Sequence, residues 1–288
     1  MKTLVEFLLW DNCNNHCKFC FLKEHNPCPS FLSDVERVKS IQSVKSYIDS
    51  QWKHGDDILL CGGELFDYPM TPQVQSAWDN LLETILEKVE KGIIDEVYIN
   101  TNMLYDINLS LIPFLFMFAI KGLLFKLRFT TSYDLYGRFK TEEDRCLFLT
   151  NVNRVKSMFP GLEIIANTVL TKNMCDEIAN GFKVTDVPNV TINLIPYIIL
   201  TDDMAPNKSM VMQTLKTVEQ ATPGYVKGML TRFTIDKPRK LMKYYNGELS
   251  EMTSKNLECG HSENFTRYTK EGSCFICDLI ELGKEIYG

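Results

Sequence analysis

Three cysteines stand close to the start of the chain, in the run CNNHCKFC: Cys13, Cys17 and Cys20. Thiolates ligate zinc and iron–sulfur clusters, and a Cys-x3-Cys-x2-Cys loop can present three of them to one metal group. A closed zinc site takes four ligands. Three cysteines therefore leave two readings open: a zinc knuckle completed by His16, His25 or Cys28, or a 4Fe–4S cluster with one iron free to bind a small molecule. A second group lies near the other end, in CGHSENFTRYTKEGSCFICD, where Cys259, His261, Cys274 and Cys277 supply four candidate ligands. Its Cys-x2-Cys knuckle suits zinc or iron, so a Cys3His zinc site, an auxiliary iron–sulfur cluster and unligated thiols all remain open, with zinc favoured because histidine is a common zinc ligand. Between these groups, LLCGGELF sets Gly62, Gly63 and Glu64 together. Glycine lets a backbone approach a ligand closely, and a carboxylate accepts from an ammonium.

Composition limits what such groups can serve. The chain has 288 residues, enough to bury one large core or two modest ones, and its 45% hydrophobic and 24% charged content is that of a globular protein. A net charge of -6 weighs against a protein that coats nucleic acid. The opening MKTLVEFLLW lacks a small-residue cleavage site and reads as a buried strand, not a signal peptide. No run reaches the ~20 apolar residues of a membrane span; LSLIPFLFMFAIKGLLFKL comes nearest and divides into a helix and a strand. Ten cysteines without an export signal, six of them in two tight groups, point to metal and a reducing, cytoplasmic setting. The other four, Cys28, Cys61, Cys146 and Cys175, read as small buried hydrophobes, with Cys61 beside the glycine pair.

A strand–helix rhythm positions these groups. TLVEFLLW is followed by a helix that Ser33 caps ahead of Glu36. DDILLCGG is a second strand, VQSAWDNLLETILEKVEKG a helix that Gly92 stops, and DEVYINTN a third strand. A helix over 109–120, the strand LLFKLRFTTS, a helix over 142–158, the strand LEIIANTVLT, a short helix over 173–182 and the strand NVTINLIPY follow. Alternation of this kind implies parallel strands with right-handed crossovers, and ligands then gather at the carboxyl ends of the strands. The cysteine loop, the glycines, Asn102 and Ser132 each follow a strand in order, so they are expected to share one mouth. Beyond about residue 205 the period fades into turn signals and short elements, which divides the chain into 1–205 and a C-terminal extension, 206–288. KPRKLMK around 237–243 is a small basic patch, and the aromatics of YY at 244–245 and TRY at 266–268 read as core before they read as substrate contacts.

The cysteine spacing, with Phe19 just ahead of Cys20, resembles the signature of the radical S-adenosylmethionine (radical SAM) superfamily, and the Gly-Gly-Glu turn one β/α unit later resembles that family's next motif. The resemblance covers roughly residues 1–200. It implies a partial (β/α)6 TIM-type barrel with a small metal-binding C-terminal extension. It also implies an enzyme in which Cys13, Cys17 and Cys20 hold a 4Fe–4S cluster that cleaves S-adenosylmethionine (SAM) to a 5′-deoxyadenosyl radical. By the same likeness Gly62, Gly63 and Glu64 contact the SAM amino group, Ser132 and Arg138 the ribose and carboxylate, Asn102 and Asn167 the carboxylate or ribose, and Phe19 and Ile195 the adenine. An electron donor of flavodoxin or ferredoxin type follows from it. The C-terminal cysteines are fewer than those of the family's SPASM extensions. The substrate is left open between a peptide or protein side chain and a nucleotide or nucleic-acid base. A reading from another class is a non-catalytic zinc-binding interaction protein in which both cysteine groups are structural.

Overall fold

The computed structural model describes residues 3–18, 20, 32–52, 55–67, 70–135, 137–195, 204–235, 240–252, 258–259 and 273–288. Six strands alternate with helices through the first two thirds of the chain: β1 Thr3–Leu8, α1 Asp34–Gln51, β2 Asp56–Cys61, α2 Pro72–Glu90, β3 Ile94–Asn100, α3 Leu111–Ile120, β4 Leu127–Thr131, α4 Glu142–Met158, β5 Ile164–Val169, α5 Lys172–Ala179 and β6 Thr191–Ile195. The expected start and stop signals operate. Ser33 and Glu36 form a reciprocal capping box at α1, and Gly92 takes a φ of +67° just past α2. A second capping box, Thr141 with Asp144, opens α4.

β1 to β6 lie side by side in sequence order, every neighbouring pair parallel. Right-handed crossovers between strands in that order put their helices on one face. The strands alternate accordingly: Val5, Phe7, Ile58, Leu60, Val97, Ile99, Phe129, Ile164, Ile192 and Leu194 are buried. The residues between them, among them Glu6, Leu59, Tyr98, Arg128, Thr130, Asn167 and Asn193, are half-buried on the other face. The fold is thus α/β around a mostly parallel sheet. No helix among the described residues is long and apolar enough to cross a membrane.

The region beyond residue 205 holds more than the short elements expected of it. It forms α6 Lys208–Ala221, α7 Tyr225–Ile235, β7 Lys240–Tyr245, β8 Glu248–Glu251 and α8 Phe275–Tyr287. Two of these belong to the main sheet, which runs β6-β5-β4-β3-β2-β1-β7-β8, with β7 parallel to β1 and β8 antiparallel to β7. Asn246 and Gly247, at φ +50° and +88°, make the tight β7–β8 turn. The period of α7 is hidden by Pro223 and Gly224 before it and Gly228 within it. Tyr244 is core, as expected, stacking near Phe7 and Tyr47 with its hydroxyl 2.8 Å from Ser43 Oγ, whereas Tyr245 is exposed. Residues 266–268 lie outside the described residues. Cys61 and Cys175 are buried as expected; Cys146 is not, because it stands on the solvent side of α4, and Cys28 lies outside the described residues.

Candidate metal and cofactor site at the strand ends

The loop that carries the first cysteines leaves β1 still bonded to β2. Leu9 N–H donates to Cys61 O at 3.0 Å, Gly63 N–H to Trp10 O at 2.9 Å and Glu64 N–H to Asn12 O at 2.8 Å. Trp10 is buried, gives its indole N–H to Glu64 O at 2.9 Å and lies under the Arg37 guanidinium, 5.1 Å from the ring centre. The two glycines make this approach possible. A Cβ on Gly63 would sit 2.0 Å from Asn12 O, and one on Gly62 2.5 Å from Trp10 O. The sequence suggests glycine for the approach of a ligand; what the structure places against these Cα atoms is the backbone of the cysteine loop itself.

From there the loop is tied to the next two strand ends. Asn14 N–H donates to Asp67 Oδ2 at 2.7 Å, and the Asn14 side chain donates to Leu104 O at 2.8 Å. Asn102, just past β3, gives its side-chain N–H to Asn14 Oδ1 at 2.7 Å and reaches Cys13 Sγ at 3.6 Å. Past β4, Arg138 O accepts from the Asn15 side chain at 3.1 Å, and Gly137 O from Lys18 N–H at 3.0 Å. Below the loop Glu64 is buried; one carboxylate oxygen takes the Asn102 N–H and the other the Phe66 N–H at 3.2 Å.

The loop also rests on the far strands. Cys17 packs against Val169 of β5 with Ile195, Met204 and Ala205 beside it, and Cys20 touches both that group and Leu8 and Cys61 of β1 and β2. Asn167 and Asn193, neighbours across β5 and β6, are bonded at 3.0 Å, and Ile195 O accepts from Leu170 N–H. Ser132 is half-buried directly after β4. Phe19 lies outside the described residues. The structure thus brings Cys13, Cys17, Gly62, Gly63, Glu64, Asn102 and Arg138 into one bonded assembly. Asn14, Asp67 and Asp134 belong to it as well and were not singled out from sequence.

Charge at this site is unusually confined. Burial pushes the Cys13 thiol up to about 12, aided by Glu64, Cys17 and Asp67 and opposed by the Asn15 N–H. Burial likewise lifts Glu64 to about 7 against the Asn102 N–H, and Asp134 to about 6 against Arg138. Arg138 Nε lies 3.6 Å from Asp134 Oδ2. Burial works against its charge, but Cys17, Asp134, Cys13 and Glu64 outweigh that and raise its pKa. Thiols in such surroundings stay protonated until a metal cation replaces the proton, which is the donor chemistry of a thiolate-held metal group. Cys13, Cys17 and Cys20 do not converge within 4.8 Å of one another as a ligand group. A single tetrahedral zinc needs sulfurs about 3.8 Å apart; a cluster, which takes each thiolate on a different iron, does not.

The C-terminal cysteines differ. The Sγ atoms of Cys259, Cys274 and Cys277 all lie within 4.8 Å of one another, Cys274 standing at the N-cap of α8. Burial raises Cys277 to about 12, with the two neighbouring thiols adding to it. His261 lies outside the described residues.

No protein-family model matches the chain, and no curated protein sequence matches it. Among solved structures it is similar to native anSMEcpe with bound AdoMet, at a TM-score of 0.57 and 15% identity, over 99% of this chain and 98% of that one. At that identity the likeness is one of fold, and it extends from end to end.

Proposed function

We propose that the chain is a radical SAM enzyme. The observation that carries the reading is the cysteine loop, bonded to three successive strand ends. The fold likeness to a protein with AdoMet bound supports it. In this reading residues 1–205 form the partial (β/α)6 barrel core, and 206–288 an extension that adds two strands to the same sheet.

Cys13, Cys17 and Cys20 would hold a 4Fe–4S cluster by three of its irons. Bound there, such a cluster would supply the one-electron reduction that cleaves SAM into methionine and a radical able to take hydrogen from a substrate. The chain's role is to bind, orient and exclude water. The Gly62–Gly63–Glu64 turn borders the methionine amino group. Because the Glu64 carboxylate already takes two backbone N–H groups, it holds that turn and Asn102 in place. Arg138, held by Asp134, offers the cation for the methionine carboxylate, and Asn102, Ser132 and Asn167 offer polar contacts to carboxylate or ribose. Ile195, at the end of β6, flanks the adenine. The electron comes from a flavodoxin- or ferredoxin-type donor.

A peptide or protein side chain is the substrate we favour. The net charge of -6 disfavours a polyanion, and within the basic segment Lys240 is already paired with Glu251 at 2.8 Å, which weakens the case for a nucleotide or nucleic-acid base. A purely structural zinc protein would call for N-terminal thiols gathered as tightly as the C-terminal ones.

The test is anaerobic purification followed by reduction with dithionite in the presence of SAM. A brown protein with about four N-terminally held irons that releases 5′-deoxyadenosine is expected, and Cys17→Ala should lose both properties. A colourless protein, or full cleavage by the Cys17→Ala variant, overturns the proposal.

A further inference from the structure

The chain carries two cysteine groups of different geometry, and the difference assigns them different metals. We propose that Cys259, Cys274 and Cys277 hold one tetrahedral zinc ion, and that this ion fixes the start of α8 against α6.

The thiol spacing comes first. Zinc bonds sulfur at about 2.3 Å, so tetrahedral geometry sets its sulfurs about 3.8 Å apart. The C-terminal thiols lie within 4.8 Å of each other, close enough to reach that separation by rotating side chains. The N-terminal three do not gather in this way, although both groups belong to one chain. An auxiliary 4Fe–4S cluster takes its thiolates on separate irons and would need the C-terminal group spread like the N-terminal one.

The charge balance comes second. Binding proceeds as one zinc dication with three thiols, releasing three protons and leaving a site of net charge −1 when a neutral fourth ligand completes it. Two features suit that charge. Cys274 caps α8, so the positive end of the helix faces the thiolates. The Lys208 ammonium sits on Asp278 Oδ1 at 2.5 Å, and Asp278 directly follows Cys277 in the chain.

The consequence reaches the other site. Lys208 is the first residue of α6, and just before it Met204 and Ala205 pack on Cys17 and Val169, with Met204 O accepting from Lys172 N–H at 2.9 Å. Zinc thus anchors the Asp278 to which Lys208 is tied, and so steadies the segment that lies over Cys17.

Metal analysis of the whole anaerobically purified protein tests the proposal. Expected are about one zinc per chain beside about four irons, and, after exchange with Co2+, the visible absorption of a tetrahedral cobalt thiolate. Cys277→Ser should lose the zinc and keep the iron, and hydrogen exchange should quicken in the first turn of α8 and at 204–207. About eight irons without zinc would mean an auxiliary cluster, and four irons without zinc unligated thiols; either overturns the proposal. Unchanged exchange at 204–207 in a zinc-free variant overturns the link to Cys17. Zinc and iron are counted separately, so zinc without iron would refute the radical SAM reading and leave this one standing.

Discussion

Glu64 accepts the backbone N–H of Asn102 at 2.5 Å, and through that bond the end of β2 holds the end of β3 beneath the cysteine loop. The carboxylate is buried, so its effects should be visible in stability as well as in activity.

Acid should favour the metal-free fold within limits. Burial raises Glu64 to about 7, and Asp67 and Asp134 to about 6 each. A carboxyl whose folded pKa exceeds its unfolded value binds its proton more tightly when folded, so stability falls as pH rises from about 4 through about 7. Glu64 alone accounts for up to about 3 kcal/mol of that fall. Urea midpoints of the metal-free protein should drop between pH 5 and pH 8, and Glu64→Gln should flatten the slope. A midpoint that climbs across this window would contradict the assignment.

Gly63→Ala should damage the metal site and not merely the affinity for SAM. The added Cβ meets Asn12 O at 2.0 Å and must break a pair of backbone hydrogen bonds, a loss of about 2 kcal/mol before strain is counted. Iron content and melting temperature should both fall, and more than in Gly62→Ala, whose Cβ meets Trp10 O at 2.5 Å. Normal iron loading in Gly63→Ala would show that the loop can yield.

Asn102→Ala removes the donor shared by Asn14 and Cys13 but leaves the backbone bond to Glu64. The expected cost is about 1–2 kcal/mol, read as a SAM affinity about tenfold weaker in a binding titration with iron content near normal. Unaltered affinity would place the cofactor away from this side chain.

Arg138→Lys is not a mild change at this position. The planar fork lies beside Asp134, and an ammonium cannot pair with a carboxylate in two places. SAM binding should weaken by about tenfold or more in Arg138→Lys and further in Arg138→Ala, which also leaves Asp134 buried without its cation. If Arg138→Ala binds SAM as the wild type does, the cation for the methionine carboxylate lies elsewhere.

Much of the framework was legible because it repeats. Buried residues of β1 to β6 alternate and their helices carry recognisable caps, so Ser33 with Glu36 and Gly92 could be read directly. Cys13, Cys17 and Cys20 and the glycine pair announce themselves by residue type. Asn14, Asp67 and Asp134 do not, since a polar loop residue acquires its partner only when distant strand ends meet. The place of β7 was illegible for a related reason: its Asn-Gly turn marks a hairpin but not which strand that hairpin will join. Cys146 misled because a cysteine on an exposed helix face looks, in sequence, no different from a buried one.

The position of β7 beside β1 bears on how the protein is made. Residues Thr3 to Phe7 pair with Lys240 to Tyr244, so the strand that leads into the cysteine loop waits for a partner that lies far later in the chain. Until then one edge of β1 is open, and the strand is paired on its β2 side alone. Pairings so distant in sequence form slowly, after the local β/α units have condensed. A chain stalled before residue 240 is therefore expected to fold its middle strands yet remain unable to retain iron at the N-terminal cysteines.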